Sequence, residues 1–321
     1  MKRRDLLIAP SALAALTFAV GARAQIGGAP VRILVGAPAG GSTDTLARSL
    51  AVSMGPALGR NVIVENRPGA GGNIAADAVA KAAPDGNTLL MSFTSHAINA
   101  TLYPSLPFDP VKDFTALTCV ATSPSILVAH PSVAAKDVRE LIALAKAKPG
   151  QLNFAIGAVG SSLHMAGEEF KMQSGVDIVN IPYKGTAPAV QDLLAGQVQL
   201  MFAAVGNVKA HIQAGKLKAL GVTTAKRLPA FPDVPAIAEA LPGYESSAWF
   251  GLFGPARLPA DVASRLGDAA RQALQQPDMR KRLETEGAIP VGNSPEQFAA
   301  FVQSEIPRWA KVVKFSGAKP E

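Results

Sequence analysis

Residues 31–50 have the sequence VRILVGAPAGGSTDTLARSL, which passes from an apolar run through a glycine-rich turn into a helical pattern. The first five residues are mostly β-branched or long aliphatic, which predicts a strand. Apolar residues at helical spacing predict a helix over residues 45–54. A strand joined to a helix by so short a turn is typical of a βαβ unit, so this stretch indicates an α/β fold.

The same alternation continues along the chain. Further strands are predicted at residues 61–65, 88–92, 126–129, 153–156, 177–181, 200–203 and 218–223, and helices at residues 73–82, 136–148, 163–174 and 187–195. A capping box at Ser294 and Gln297, with Pro295 at the first helical position, predicts a final helix. This spacing predicts mostly parallel sheets flanked by helices.

Proline-bearing segments mark two points at which the chain is expected to cross between lobes. Residues 121–124 end in Pro124 just before a predicted strand, and residues 223–235 carry three prolines after another strand. Two crossings predict a terminal lobe, built from residues 25–122 and 226–321, and a middle lobe, built from residues 123–225.

The N-terminus has the pattern of an export signal. Lys2, Arg3 and Arg4 precede an almost unbroken apolar run, residues 6–20, and a small-x-small pattern follows at residues 22–24. These features predict a signal peptide over residues 1–24 and export of the mature chain. The apolar run falls short of the roughly 20 residues that span a bilayer. The general secretory route and the twin-arginine route both stay open, since Arg3-Arg4 fits either.

Composition narrows the classes of function. The formal net charge of +7 falls to about +4 without the leader, a mild positive field that attracts small anions. No run of lysine and arginine is interleaved with aromatic residues, which argues against binding of nucleic acid. Cys119, the sole cysteine, has apolar neighbours and is predicted to be buried rather than reactive.

Four loops that follow predicted strands carry hydrogen-bond donors. They comprise residues 36–44, 68–73, 157–164 and 182–186. In open α/β sheets, ligands bind at the carboxyl ends of the strands. Ser42 and Thr43 stand at a predicted helix N-terminus, where aligned amides favour an anion. Tyr183 offers a flat wall and Lys184 a counter-charge for an acid.

Each loop also has an ordinary structural interpretation, as a glycine turn, a helix cap or a loop with a solvated lysine. Residues 68–73 resemble a dinucleotide-binding loop, but Ile74 stands where the third glycine of that motif is required. His164 and Glu168 lie one helical turn apart. Because the other histidines show no ligand spacing, we expect a hydrogen-bonded pair there and no metal site.

The chain lacks the patterns of common catalytic sites. It contains neither G-x-S-x-G nor H-E-x-x-H, and Cys119 lacks the surroundings of an activated nucleophile. Hydrogen-bond donors without a nucleophile or base predict a protein that binds a small molecule, needs no cofactor and is not an enzyme.

Taken in order, these segments resemble the Bug-type, TctC-like family of periplasmic solute-binding proteins, which serve tripartite tricarboxylate transporters. The resemblance covers essentially the whole mature chain and is carried by residues 40–44, 64–73, 157–164, 166–168, 182–185, 192–196 and 215–220. It implies a periplasmic-binding-protein-like fold whose two lobes close on a small carboxylate. The expected partners are that carboxylate and the membrane transporter subunits, and the chain itself is expected to be a monomer.

The resemblance also implies which residues contact the ligand. The matching positions are Gly41, Ser42, Thr43, Gly71, Gly72, Asn73, Thr94 and Ser95 in one lobe and Ser161, Ser162, His164, Tyr183, Lys184 and Gly185 in the other. Many relatives place an aspartate after a Met-Phe pair, where this chain has Ala203 after Met201-Phe202. We therefore expect an unsubstituted di- or tricarboxylate or an aromatic acid rather than an amino acid. A ligand-presenting sensor for a signalling receptor and an enzyme on the same scaffold are the alternative functions.

Overall fold

The computed structural model describes residues 28–320, and the predicted leader lies outside them. The strands are β1 Val31–Val35, β2 Val62–Asn66, β3 Thr88–Phe93, β4 Phe114–Ala129, β5 Asn153–Ile156, β6 Val179–Pro182, β7 Leu200–Ala204, β8 Lys218–Val222, β9 Ser247–Pro255 and β10 Ile289–Pro290. The helices are α1 Ser42–Leu58, α2 Asn73–Ala80, α3 Ser95–Leu102, α4 Val138–Ala147, α5 Ser162–Ser174, α6 Thr186–Leu194, α7 Val205–Gln213, α8 Ala260–Ala273, α9 Pro277–Thr285 and α10 Pro295–Ser316. Within this described range, none of the helices is long and apolar enough to cross a membrane.

One long strand, β4, belongs to both lobes. Its first part pairs antiparallel with β9, and its last five residues pair antiparallel with β7. The strand order is β2-β1-β3-β9-β4-β7-β5-β6, with β8 and β10 also paired to β4. The sequence predicted only the end of β4, because threonines and Pro124 interrupt the apolar run of its first part.

The α/β fold class is confirmed, with a mixed sheet in each lobe. In the terminal lobe β1 pairs parallel with β2 and β3, and in the middle lobe β5 pairs parallel with β6 and β7. The parallel order predicted from the sequence therefore holds for these six strands, whereas β4 and β9 pair antiparallel. The carboxyl ends of β1, β2 and β3 share one edge, and those of β5, β6 and β7 share another.

Apolar layers cover both faces of the sheet in each lobe. In the terminal lobe, α1, α8 and α9 pack on one face, and α2, α3 and α10 pack on the other. In the middle lobe, α4 and α5 pack on one face, and α6 and α7 on the other. Removal of this apolar area from water is the main force that holds each lobe together. Cys119 is 2% exposed within the second terminal-lobe layer, which confirms its predicted burial.

The final helix begins at the predicted capping box. The amide of Ser294 donates to Gln297 Oε1 at 3.0 Å, and the amide of Gln297 donates to Ser294 Oγ at 3.2 Å. The helix then buries Phe298 and Val302, with Phe301 partly buried beside them. The start of α10 is therefore as predicted.

Two buried polar residues join the first crossing, on β4, to the residue that follows β8. The amide of Ser125, in β4, donates to Thr223 Oγ1 at 2.9 Å, and that hydroxyl donates to the carbonyl of Ser125 at 3.0 Å. The predicted boundaries at residues 122 and 225 stay predictions. Leu228, Phe231 and Tyr244 lie in the middle-lobe layers. This packing leads us to propose a second crossing beyond residue 244.

Candidate functional site

The three loops that follow β1, β2 and β3 are packed against one another. A side-chain carbon at Gly36 would lie 2.6 Å from Gly72 Cα, and one at Gly72 would lie 3.2 Å from the ring of Phe93. Gly72 also has φ 97°, a conformation that other residues rarely adopt. Glycine at these positions is therefore what brings the predicted ligand loops of the terminal lobe together.

The first of these loops is held by a buried carboxylate. Asp44 accepts hydrogen bonds from the amide of Gly40 at 2.9 Å, from Asn66 Nδ2 at 2.9 Å and from Arg48 Nε at 3.0 Å. Burial alone would raise the pKa of Asp44, but these bonds together lower it. Gly41, at the N-cap, makes no side-chain cap bond, so the first amides of α1 keep their donors for another partner.

The second and third loops are fixed by residues that sequence reasoning did not identify. Asn99 Nδ2 donates to the carbonyl of Gly71 at 3.1 Å and to Asn73 Oδ1 at 2.8 Å. Thr94 Oγ1 accepts from the amide of Trp249 at 2.9 Å. Asn99 lies on α3 and Trp249 on β9, far away in sequence, so no local pattern indicated either contact.

The middle-lobe loops are joined in a similar way. The amide of Gly185 donates to the carbonyl of Gly157 at 2.9 Å, and a side-chain carbon at Gly157 would lie 3.1 Å from Thr186 Oγ1. Gly185 has φ 116° and Gly160 has φ 74°. The loops that follow β5 and β6 therefore form one surface beside the start of α5.

His164 shapes that surface through both of its ring nitrogens. Nδ1 accepts a hydrogen bond from the amide of Gly160 at 3.0 Å, and Nε2 lies 3.5 Å from Glu168 Oε1. Burial would raise the pKa of Glu168, but hydrogen bonds from His164, Lys171 and Asn180 lower it overall. The pair predicted from the sequence is therefore a structural hydrogen-bonded pair, and His164 positions the loop.

The two predicted serines mark the start of α5. Ser161 Oγ accepts from the amide of His164 at 3.2 Å and donates to the carbonyl of Ala158 at 2.8 Å, so it caps the helix. Ser162, half-buried, is the first residue of α5. The hydroxyl of Ser161 is thus used within the protein, while Ser162 lies at the helix N-terminus where a ligand anion is favoured.

The polar ends of the Tyr183 and Lys184 side chains lie in different surroundings. The hydroxyl of Tyr183 donates to Asp192 Oδ2 at 2.9 Å, and burial together with this carboxylate raises the pKa of Tyr183. Its ring packs beside the apolar layer of α6 and α7. Lys184 is exposed. Of the two residues, only Lys184 keeps its polar end available as a counter-charge.

The two lobes touch at two points near these loops. Gly160, in the middle lobe, lies directly against Leu102 at the end of α3 in the terminal lobe. At another point, a side-chain carbon at Gly287, just after α9, would lie 3.6 Å from Cβ of Val205, the first residue of α7. The donor-bearing loops therefore lie beside a boundary that both lobes form.

The donor set suits binding better than catalysis. Cys119 is buried, and burial raises the pKa of its thiol to about 12, so it is not a nucleophile. Among the residues that the structure describes, no group of three or more His, Cys, Asp or Glu side chains is arranged to hold a metal ion. The predicted ligand loops thus present amides and hydroxyls, together with the exposed Lys184 after β6, and such groups can hold an anion.

The chain matches known proteins over nearly its whole length. The family model described as the tripartite tricarboxylate transporter family receptor, TctC, matches residues 46–317. BugT of Bordetella pertussis is 40% identical over 293 residues, which are 90% of this chain and 90% of that protein. Among solved structures, Rpa4515 of R. palustris with adipate is 37% identical, has a TM-score of 0.77, and is matched over 91% of this chain and 98% of that one.

A second solved structure gives the same result. MatC from Rhodopseudomonas palustris, with bound malate, is 37% identical with a TM-score of 0.74, and the match covers 88% of this chain and 98% of that one. Proteins of this kind are receptors for solutes rather than enzymes. The chain therefore belongs to the TctC family of tripartite tricarboxylate transporter receptors and is a solute-binding protein of the Bug type.

Proposed function

We propose that this chain works in the periplasm, captures a small carboxylate between its lobes and delivers it to a tripartite-type membrane transporter. The observation that carries this proposal is the pair of donor-bearing loop sets, one from each lobe, at the boundary that the lobes share. The adipate and malate in the two solved relatives support a carboxylate as the ligand class.

Oriented amides supply most of the proposed attraction for the carboxylate. The first amides of α5 lie at a helix N-terminus, where the helix dipole favours negative charge. Glycines at positions 71, 72 and 185 have positive φ values that other residues rarely adopt. Because glycine has no side chain, a ligand can come close to the backbone donors of these loops. Lys184 adds a single full positive charge, which strengthens the hydrogen bonds to an anion.

Closure follows from contact of one ligand with both lobes. A ligand held by loops of both lobes binds the closed arrangement more tightly than the open one, and so shifts the population towards closure. Ser125 lies on β4, where the chain first crosses between the lobes, and its hydrogen bonds to Thr223 hold this crossing, so we place the hinge there. Because one chain supplies both halves of the site, a monomer is sufficient for this function.

A thermal-shift screen tests the proposed binding. Monocarboxylates, dicarboxylates, tricarboxylates and aromatic acids form the panel, with amino acids and nucleotides as controls. A ligand at 100 times its dissociation constant adds about 2.7 kcal/mol and raises the melting temperature by several degrees. We expect one group of acids to give such a shift. No shift with any acid, and no small molecule released from denatured protein, would overturn the proposal.

Delivery needs a separate measurement in cells. Deletion of the protein is expected to abolish uptake of the acid that the screen identifies, and expression from a plasmid is expected to restore it. Uptake that continues at the normal rate in the deletion strain would rule out delivery, while binding by the purified protein would still stand.

A further inference from the structure

One of the predicted ligand donors, the hydroxyl of Ser42, is hydrogen-bonded to a carboxylate of the protein itself. Ser42 Oγ, in the first turn of α1, donates to Glu286 Oε2 at 3.0 Å. Glu286 directly follows α9 and is half-buried. The hydroxyl that was expected to meet a ligand carboxylate is therefore already bonded to a carboxylate from a distant part of the same lobe.

Glu286 also lies beside the point where the lobes meet. The next residue, Gly287, comes within 3.6 Å of the middle lobe, measured from the position of its missing Cβ to Cβ of Val205. Val205 is the first residue of α7, directly after β7. The negative charge is thus held next to the start of α1 and within one residue of the contact with the start of α7.

Packing between α9 and α1 does not require this hydrogen bond. Met279 and Leu283 of α9 are each 1% exposed and lie in the same apolar layer as Leu50 and Met54 of α1. That buried contact holds α9 in place, whereas a hydrogen bond between partly exposed side chains contributes little to stability. The position of Glu286 therefore fits a role in ligand binding rather than in folding.

We propose that Glu286 is a specificity-determining residue, which selects against ligands that carry a second carboxylate at the Ser42 corner of the cleft. The proposal rests on the proposed function and narrows its ligand class to acids with a single carboxylate, such as the aromatic acids expected above. A second carboxylate would meet a like charge a few ångströms away and would lose the Ser42 donor. Ser42 is exposed and Glu286 is half-buried, so water weakens this repulsion but does not remove it.

Matched pairs of acids test the proposal by calorimetric titration of the purified protein. The pairs are butyrate and succinate, hexanoate and adipate, and benzoate and terephthalate, which differ within each pair by one carboxylate. The variants are Glu286→Gln, which removes the charge and keeps the shape, and Glu284→Gln. Glu284 is an exposed residue of α9 and controls for the change in net charge.

The wild-type protein is expected to bind the monocarboxylate of its best pair more tightly. Glu286→Gln should strengthen binding of the matching dicarboxylate about tenfold and change that of the monocarboxylate less than about twofold, as removal of one nearby like charge predicts. Glu284→Gln should leave both unchanged. If Glu286→Gln changes both acids equally, or neither, the role of Glu286 is refuted while carboxylate binding stands. If the wild type binds no acid of the pairs or of the larger screen, the proposed function itself fails.

Discussion

The guanidinium of Arg308 on α10 lies 2.9 Å from the carboxylate of Glu169 on α5, and this ion pair joins the terminal lobe to the middle lobe. Arg308 also donates to Glu305 at 2.8 Å. The other oxygen of Glu305 accepts from the indoles of Trp249 at 3.1 Å and Trp309 at 2.8 Å. Because α5 begins at the proposed ligand loop, this network links the middle-lobe side of the proposed site to the terminal lobe.

Removal of Arg308 is expected to destabilise the protein more than removal of the charge on Glu169. Arg308→Gln leaves Glu169 buried without its partner and should lower the free energy of unfolding by about 3 kcal/mol. Glu169→Gln should cost less, because burial already raises the pKa of Glu169 and so favours a neutral group there. The double variant should recover part of the loss. Urea unfolding at pH 7 measures all three.

The exposed pair of Arg227 and Glu239 provides the control for that cycle. Its nitrogen and oxygen lie 2.8 Å apart, as close as in the buried pair, but both side chains are nearly half exposed. Water screens such a pair, so Arg227→Gln should change stability very little. Equal losses from Arg308→Gln and Arg227→Gln would show that burial of Glu169 is not the cause.

His96 makes stability depend on pH. The ring is buried between Phe114 and Phe253, and its Nε2 donates to the carbonyl of Pro110 at 2.8 Å. Burial lowers the pKa of His96 to about 4, from 6.5. Between pH 4 and pH 6.5, His96 is protonated in the unfolded chain but neutral in the folded protein. Its contribution to the free energy of unfolding is therefore complete above pH 6.5 and is lost as the pH falls towards 4. The expected loss by pH 4 is about 3 kcal/mol.

Unfolding in urea across pH 4 to 7 tests this dependence. The carboxylates of the protein also titrate at the acidic end, so the informative quantity is the difference between the wild type and His96→Phe. That variant should have a shallower dependence, because no proton is then taken up at this position on unfolding. An identical slope in both proteins would contradict the assignment to His96.

Gly160 carries both a backbone requirement and a contact between lobes. Gly160→Ala should weaken ligand binding at least about tenfold, equal to 1.4 kcal/mol, because its new side chain strains φ 74° and presses on Leu102. Gly175→Ala is the matched control, with φ 67° and open space around it. The control should cost about 1 kcal/mol of stability through strain alone and leave binding unchanged. Equal effects on binding would show that the Leu102 contact does not matter.

Two variants of His164 distinguish a role in positioning the loop from direct contact with the ligand. His164→Ala removes the acceptor for the amide of Gly160 and should weaken binding about tenfold through a loosened loop. His164→Asn places an amide oxygen where Nδ1 accepts that hydrogen bond and should bind close to the wild type. Titration calorimetry compares the two variants. If His164→Asn is as weak as His164→Ala, the imidazole itself contacts the ligand.

Lys184→Ala should weaken binding of an acid by about tenfold without abolishing it, because oriented amides supply most of the attraction. Lys216, an exposed lysine elsewhere in the middle lobe, gives the control substitution Lys216→Ala, which changes net charge equally. Affinity measured at low and high salt distinguishes a local contact from the general field. Complete loss of binding in folded Lys184→Ala would mean that the ion pair dominates.

The local elements were largely readable from the sequence because each depends on neighbouring residues. The strand at Val31–Val35 and the capping box at Ser294 both follow from short-range patterns, and both are present. The strand Ser247–Pro255 was not predicted, because Gly251 and Gly254 dilute its β pattern. The tertiary structure requires glycine at position 251, because a side chain there would overlap the ring of Phe298 on α10.

The sequence by itself determined which loops carry donors, because glycines, hydroxyls and helix starts are encoded within a few residues of one another. Only the tertiary structure decided how those donors are used. Asn99 donates a hydrogen bond to Asn73, the hydroxyl of Tyr183 donates to Asp192, and the hydroxyl of Ser42 donates to Glu286. Contacts such as that of Glu286 join residues far apart in the chain, and they form only because burial of the apolar layers brings the helices that carry them together.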